Sequence, residues 1–90
     1  MFARVSTFAG SPDQVDESIR EGREQIVPAV RQIRGCKGLL YLVDRTTGKA
    51  MSVTLWETEE AMRMSEQAAD QIRGESVQVE RYEVAIDEPF

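Results

Sequence analysis

The strand 38–43, which reads Gly-Leu-Leu-Tyr-Leu-Val, most constrains the fold of this chain because it is apolar on both faces. Side chains alternate between the two faces of a strand, so Leu39 and Tyr41 lie on one face. Leu40 and Leu42 lie on the other face. A strand with two apolar faces must be covered on both, and the rest of the chain offers only enough helix to cover one. The sequence therefore predicts a ligand or a partner on the second face.

Hydrophobic spacing and turn residues predict four strands and two helices along the chain. Apolar residues at spacings of three and four predict the first helix, which Pro12 begins and Gly35 ends. Gly48 supplies the positive φ that a short hairpin turn needs, and Thr58 can cap the second helix, which ends before Gly74. The predicted elements are, in chain order, strand 2–8, helix 12–34, two hairpin strands within 38–56, helix 59–73 and strand 76–86.

Two residues interrupt the first predicted helix. Pro28 has no N–H and clashes with the carbonyl of Glu24, so a kink or a change of helix segment is expected around 24–27. Gly22 lies within the apolar stripe of the helix. There it either allows close packing against the sheet or weakens the helix.

The second helix and the last strand have less regular patterns. In the last strand the apolar face switches between Val79 and Tyr82, which predicts either a bulge near 80–81 or a strand covered on both faces. The helix is expected to turn small side chains toward the sheet. Its predicted inward positions are Ala61, Met64 or Ser65, Ala68 and Ile72.

The order β-α-β-β-α-β predicts an α+β fold of the ferredoxin-like type. Two βαβ halves with right-handed crossovers give a four-stranded antiparallel sheet with both helices on one face. We expect residues 1–90 to form a single domain of this kind. The other sheet face is apolar and bare, so the simplest arrangement is a two-fold homodimer, sheet against sheet.

Three segments of the chain resemble the antibiotic biosynthesis monooxygenase-like group of dimeric α/β-barrel proteins. The resemblance implies a homodimer whose two sheets form a barrel, with a pocket between the sheet and the helices of each subunit. The matching segments are Ile-Val-Pro at 26–28, Gly-Cys-Lys-Gly-Leu-Leu at 35–40 and Val-Thr-Leu-Trp-Glu-Thr-Glu-Glu-Ala at 53–61, together with a hairpin turn that contains Thr-Gly.

The resemblance gives little information about enzymatic activity, because one fold hosts many functions. The group includes cofactor-independent quinone-forming monooxygenases and haem-degrading enzymes. The haem-degrading branch uses a His ligand to iron and a nearby Asn, and this sequence contains neither, so haem degradation is disfavoured. The monooxygenase branch uses polar groups that include Asn and Trp, and Trp56 is the only residue of this sequence to which the resemblance could assign such a role. No catalytic residue is assigned.

Charge and composition exclude several classes of function. With 11 basic and 16 acidic residues, the formal net charge is −5, which disfavours binding to nucleic acid or to anionic membranes. No apolar run has membrane-spanning length and no signal peptide is recognisable, so a cytoplasmic protein is expected. One cysteine cannot form an internal disulfide, and the absence of His removes imidazole metal sites. We predict neither a cofactor nor a metal.

Four residues are candidates for lining a ligand pocket: Trp56, Tyr41, Met64 and Tyr82. Trp56 either stacks on an aromatic ligand or packs in the core with its N–H bonded to the backbone, and the core role is favoured. The two tyrosines are either lips of a cavity or parts of the core or interface. Met64 either lines an adaptable apolar cavity or belongs to the core.

Three functions are compatible with these observations. The first is a homodimer that binds a small apolar or aromatic molecule, or serves as an assembly module, without catalysis. The second is a cofactor-independent monooxygenase that acts on a phenolic or quinol-like substrate, which is easily oxidised once it is positioned. The third is a ligand-sensing domain that regulates a partner protein.

Overall fold

The computed structural model describes residues 1–68 and 78–90. Their elements follow the predicted β-α-β-β-α-β order. The predicted helix end at Arg73–Gly74, the inward Ile72 and the start of the last strand at 76 lie outside the described residues. The elements are β1 Phe2–Phe8, a 3₁₀ turn Pro12–Gln14, α1 Val15–Glu21, a π-helical segment Gly22–Ile26, α2 Val27–Arg31, β2 Cys36–Val43, β3 Ala50–Trp56, α3 Glu59–Met64 and β4 Gln78–Glu83.

The four strands form one antiparallel sheet in the order β2-β3-β1-β4. This order confirms the predicted ferredoxin-like arrangement. Helix α2 packs on β2, and α3 packs on β1 and β3. Within the part of the chain that the structure describes, no helix is long and apolar enough to cross a membrane.

Pro28 changes the form of the first helix where the sequence predicts it. The segment Gly22–Ile26 is π-helical, and α-helix resumes at Val27. The N–H of Val27 donates to the carbonyl of Gly22, which is the five-residue spacing of a π-turn. Because Pro28 cannot donate to the carbonyl four residues earlier, the wider turn accommodates the missing bond. The predicted change of helix segment is confirmed.

Gly22 does not allow a close approach to the sheet. A Cβ at this position would meet no atom within 4 Å outside the helix's own backbone. The backbone of Gly22 is ordinary right-handed helix, with φ −59° and ψ −45°. The expectation that Gly22 allows close packing is therefore wrong, because no atom of the sheet lies close to the helix at this position.

The hairpin turn is held by backbone and side-chain bonds together. Gly48 has φ +82°, as the turn pattern predicts, and a Cβ there would overlap the backbone of Ser11 and Pro12. The Asp44 carboxylate accepts hydrogen bonds from the backbone N–H groups of Thr46 (2.9 Å) and Thr47 (3.3 Å). These two donors hold the pKa of Asp44 below its usual value.

The last strand and the second helix correct two predictions. Strand β4 pairs with β1 without a register shift over 78–83, so the predicted bulge near 80–81 is wrong. Val79 pairs with Ser6 on the helix-facing side, whereas Tyr82 lies on the opposite side. Helix α3 starts at its predicted cap, since the Thr58 hydroxyl accepts from the N–H of Ala61 at 3.0 Å. Met62, which is not among the predicted inward residues, is buried, with 2% exposed. Of the predicted positions Ser65 is buried and Ala61 is half-buried, whereas Ala68 is exposed, so its predicted inward position is wrong.

Candidate functional site

A cavity of about 560 Å³ lies between the first helical segment and the sheet. Its volume is within the range of about 300–1,000 Å³ that is usual for small-molecule sites. The helical segment 18–33 forms its roof and strands β1, β2 and β3 form its floor. The lining residues are Arg4, Ser6, Phe8, Ala9, Ser18, Ile19, Glu21, Gly22, Arg23, Ile26, Val27, Val30, Ile33, Leu39, Tyr41, Ser52, Thr54 and Trp56.

Most of the roof of the cavity is apolar, and Ser18, Glu21 and Arg23 are its polar lining residues. The apolar part is the helical stripe that the sequence predicts, in which Ile19, Ile26 and Ile33 are only half-buried. Gly22 sits within this stripe and removes one side chain from it. The apolar stripe therefore keeps surface open to the cavity instead of filling it.

The floor of the cavity is a row of hydroxyl groups that crosses three strands. Ser6 pairs with Ser52 across β1 and β3, and Ser52 pairs with Tyr41 across β3 and β2. Directly paired residues share a face of the sheet, so all three point toward the helices. The Tyr41 hydroxyl donates to the Ser18 hydroxyl at 3.3 Å, and Ser18 in turn donates to the Val15 carbonyl at 2.8 Å.

Arg4 stacks on Trp56 in the lining of the cavity. The guanidinium carbon lies 5.0 Å from the centroid of the indole ring, within the range of a cation–π contact. Trp56 is fully buried, and its Nε1–H donates to the hydroxyl of Thr54 at 2.9 Å. A ligand in the cavity would therefore find one ring face already covered by Arg4. This geometry supports a core role for Trp56, but the partner of its N–H is a side-chain hydroxyl and not the predicted backbone group.

Arg4 is buried and compensated on several sides. Its Nη2 donates to the carbonyl of Met62 at 2.6 Å and to the hydroxyl of Ser65 at 2.7 Å. Its Nε lies 3.4 Å from a carboxylate oxygen of Glu66. The same carboxylate accepts two hydrogen bonds from Arg81, which raises the pKa of Arg81. Arg4 thus ties the floor of the cavity to α3 and β4.

The structure brings together only two of the four predicted site residues. Trp56 and Tyr41 line the cavity. Met64 is 78% exposed, because α3 turns Met62 and Ser65 toward the sheet, so its predicted place in the pocket is wrong.

Tyr82 also lies outside the cavity, on the opposite face of the sheet. It is 51% exposed and pairs with Ala3, one register position away from the helix-facing residues. Its hydroxyl donates to the carboxylate of Glu80 at 2.7 Å, and this bond raises the pKa of the Tyr82 phenol. The prediction that Tyr82 lines the pocket is corrected accordingly.

Sequence reasoning missed the polar floor of the cavity. Arg4 and Ser6 alternate with apolar residues along β1, and Ser52 and Thr54 do so along β3. This period of two was the available signal. It separates a polar stripe from an apolar stripe on each central strand, and the structure places the polar stripe under the helices and the apolar stripe outward.

The described residues contain no group of three or more His, Cys, Asp or Glu side chains that could hold a metal ion. The lining of the cavity combines apolar, hydroxyl and guanidinium groups with the carboxylate of Glu21. Such a lining can enclose the apolar part of a small molecule and form hydrogen bonds to any polar group that the molecule carries.

Known proteins resemble this chain in sequence over part of their own length. No protein-family model matches the chain. Two uncharacterized proteins of Mycobacterium tuberculosis match 96% and 94% of it at 36% and 33% identity. The chain spans about two fifths of these relatives, 39% and 41% of their lengths.

Solved structures resemble this chain over almost its whole length. A monooxygenase of Streptomyces coelicolor in complex with nanaomycin D matches 99% of the chain and 92% of its own, with a TM-score of 0.69 at 15% identity. A cofactor-independent oxygenase of Streptomyces nogalater matches 99% of this chain and 97% of its own, with a TM-score of 0.67 at 14% identity. A haem-degrading protein of Mycobacterium tuberculosis matches 99% of this chain and all of its own, with a TM-score of 0.70 at 17% identity. This chain therefore has the fold of the antibiotic biosynthesis monooxygenase-like proteins.

Proposed function

We propose that this chain binds a small apolar or aromatic molecule in the cavity between its first helical segment and its sheet. The observation that carries the proposal is the half-buried isoleucine roof over a cavity of about 560 Å³. Apolar surface left facing an internal space favours an apolar ligand over water, by roughly 25 cal/mol for each Å² removed from water.

Filling the cavity tests this proposal. The substitution Gly22→Leu places a branched side chain where a Cβ meets no neighbouring atom. We expect it to weaken binding of 2,3-dimethylnaphthalene about tenfold or more, because it occupies the volume of the ligand. Calorimetric titration measures the affinity. Gln25→Leu, at an exposed helical position outside the cavity, is the matched control and should bind as the wild type does.

The proposal includes a homodimer that buries the outer face of the sheet. Leu40 and Leu42 are 54% and 50% exposed on this face, beside the half-buried Val53. Apolar residues that cluster on one exposed face favour association. A cytoplasmic location for this dimer remains a prediction from composition.

A cofactor-independent monooxygenase is the second candidate function. It is supported by the fold shared with a cofactor-independent oxygenase and with a monooxygenase that binds nanaomycin D. In such a reaction a phenol and O₂ give a quinone and water. One oxygen atom enters the ring and the other leaves as water, while the substrate supplies the electrons.

Oxygen uptake separates the two candidates. We expect an oxygenase to consume O₂ with at least one member of a panel of phenols and hydroquinones, and to lose that uptake in the Gly22→Leu variant. The Gln25→Leu variant should retain it. No uptake above the spontaneous oxidation rate, across the panel, would leave ligand binding as the function.

A further inference from the structure

We infer that Glu66, which is not among the residues that line the cavity, keeps the cavity open for its ligand. It does so by holding the guanidinium of Arg4 against the indole ring of Trp56. Glu66 is thus a positioning residue that acts through Arg4. This inference rests on the proposed ligand-binding function and adds a residue on which the shape of that site depends.

Arg4 lies between the cavity and the end of α3. Its side chain is 2% exposed, and its Nη2 donates to the carbonyl of Met62 at 2.6 Å. Its Nε lies 3.4 Å from the Oε2 atom of Glu66, which follows α3 in the chain. A buried guanidinium has lost its hydration and needs a nearby negative charge to offset that loss. The carboxylate of Glu66 supplies such a charge.

Arg81 fixes the orientation of this carboxylate. Its Nε donates to the Oε1 atom of Glu66, and its Nη2 donates to Oε2 at 3.0 Å. Two parallel bonds of this kind set the orientation of a carboxylate as well as its distance. The Oε2 atom of Glu66 is therefore held within ion-pair distance of both Arg81 and Arg4.

Glu66 also offsets a repulsion between two strands. Arg4 and Arg81 are directly paired in the register of β1 and β4. Like charges directly opposite each other on one face of a sheet destabilise the strand pair. Because the carboxylate of Glu66 contacts both guanidinium groups, its removal would push Arg4 away from its place.

The cavity is the open space beside Arg4, so a displaced guanidinium would enter it. Arg4 lines this space of about 560 Å³. A buried charge that loses a counter-ion moves toward water, and the long side chain of arginine allows such a movement. In the cavity the guanidinium would occupy volume and would place a charge beside an apolar ligand.

NMR spectroscopy of Glu66→Gln, which removes the charge and nearly keeps the side-chain shape, measures the position of Arg4. Guanidinium protons that lie over an indole ring carry a ring-current shift, and we expect the Arg4 signals to lose much of this shift in the variant. Glu59→Gln is the matched control, because Glu59 pairs with Arg63 on the exposed side of α3. It should leave the Arg4 signals unchanged.

Calorimetric titration with 2,3-dimethylnaphthalene relates the position of Arg4 to binding. We expect Glu66→Gln to bind about tenfold more weakly than the wild type, and Glu59→Gln to bind as the wild type does. Adding Arg4→Met to Glu66→Gln removes the guanidinium that would enter the cavity. The double variant should therefore regain an affinity within about threefold of the wild type.

Glu66→Asp serves as a second variant if Glu66→Gln does not fold. It keeps the charge but withdraws the carboxylate by one methylene group, so it cannot contact Arg4 and Arg81 as Glu66 does. We expect a smaller loss of the ring-current shift and of affinity, both in the same direction. Thermal unfolding monitors the folded state of each variant.

The two measurements separate this inference from the proposed function. Arg4 signals that are unchanged in the Glu66 variants would overturn the inference. Weaker binding that Arg4→Met does not restore would also overturn it, because the loss would then reflect general damage to the fold. A wild type that binds no probe would contradict the proposed function, and a shift of the Arg4 signals in Glu66→Gln would still support the positioning of Arg4 by Glu66.

Discussion

At the scale of single residues, Gly22 affects two properties, the stability of the first helix and the volume of the cavity. Its backbone is helical and a Cβ would meet no neighbouring atom, so Gly22→Ala adds helix propensity without a clash. We expect the substitution to stabilise the protein by about 0.5–1 kcal/mol, because alanine loses less backbone entropy than glycine in a helix. Denaturant unfolding followed by circular dichroism measures the change.

Gly48→Ala is the matched control for this prediction. The same added methyl group would overlap the backbone of Ser11 and Pro12, and φ is +82°. This variant should be destabilised by more than about 1 kcal/mol. A Gly22→Ala variant that is less stable than the wild type would contradict an open space beside Gly22.

Single residues also show where sequence reasoning reaches its limit. The burial of Trp56 could be predicted, because a large aromatic at the end of a central strand belongs in the core. Its contact with Arg4 could not, since it depends on a register between β1 and β3 that no local pattern specifies. The prediction for Met64 is wrong because Met62 and Met64 are the same residue type, so composition does not show which of them faces the sheet. Residues two positions apart in a helix differ by about half a turn and point in nearly opposite directions.

At the scale of elements, the hairpin turn depends on the ionised carboxylate of Asp44. Donation by Thr46 and Thr47 lowers the pKa of Asp44 in the folded state, so its contribution to stability is complete above the unfolded value of about 3.9. The contribution is lost as the pH falls through the lower folded value. We therefore expect acid to lower the melting temperature of the wild type more than that of Asp44→Asn, whose amide oxygen still accepts both bonds.

Melting temperatures measured between neutral pH and pH 2.5 check this prediction. Asp87→Asn, beyond the last strand, controls for the general effect of removing one negative charge. Equal acid sensitivity of the wild type and Asp44→Asn, after this correction, would contradict a role for the ionised Asp44 side chain.

An irregularity with a local cause in the sequence could be predicted. The regularity of a strand, which depends on how both of its faces are covered, could not. Pro28 predicts a change of helix segment through its missing N–H, and a π-helical segment precedes it. The predicted bulge in β4 assumed that one face of the strand is apolar. In the structure Val79 lies on the side under the helices and Tyr82 on the outer side, so the strand stays regular.

At the scale of the whole molecule, the sheet separates two tasks. The polar stripe of the central strands lines the cavity under the first helical segment, and the apolar stripe faces away from it. The order of strands and helices could be predicted, because alternation and helical spacing differ clearly along the chain. Which face of the sheet lies under the helices could not be predicted, because β2 is apolar on both faces. The cavity itself was invisible, since an apolar helical stripe is the same whether it fills a core or borders a space.

The outer face predicts that the molecule is a dimer in solution and that a charge on this face separates the subunits. We expect the wild type to sediment as a dimer at micromolar concentration. Leu40→Glu should sediment as a monomer there, because burying an unpaired carboxylate between two sheets costs several kcal/mol. Met64→Glu introduces the same charge at a position on α3 that is 78% exposed, and should remain dimeric. A monomeric wild type at this concentration would rule out the sheet-to-sheet dimer, and the exposed leucines would then need a different partner.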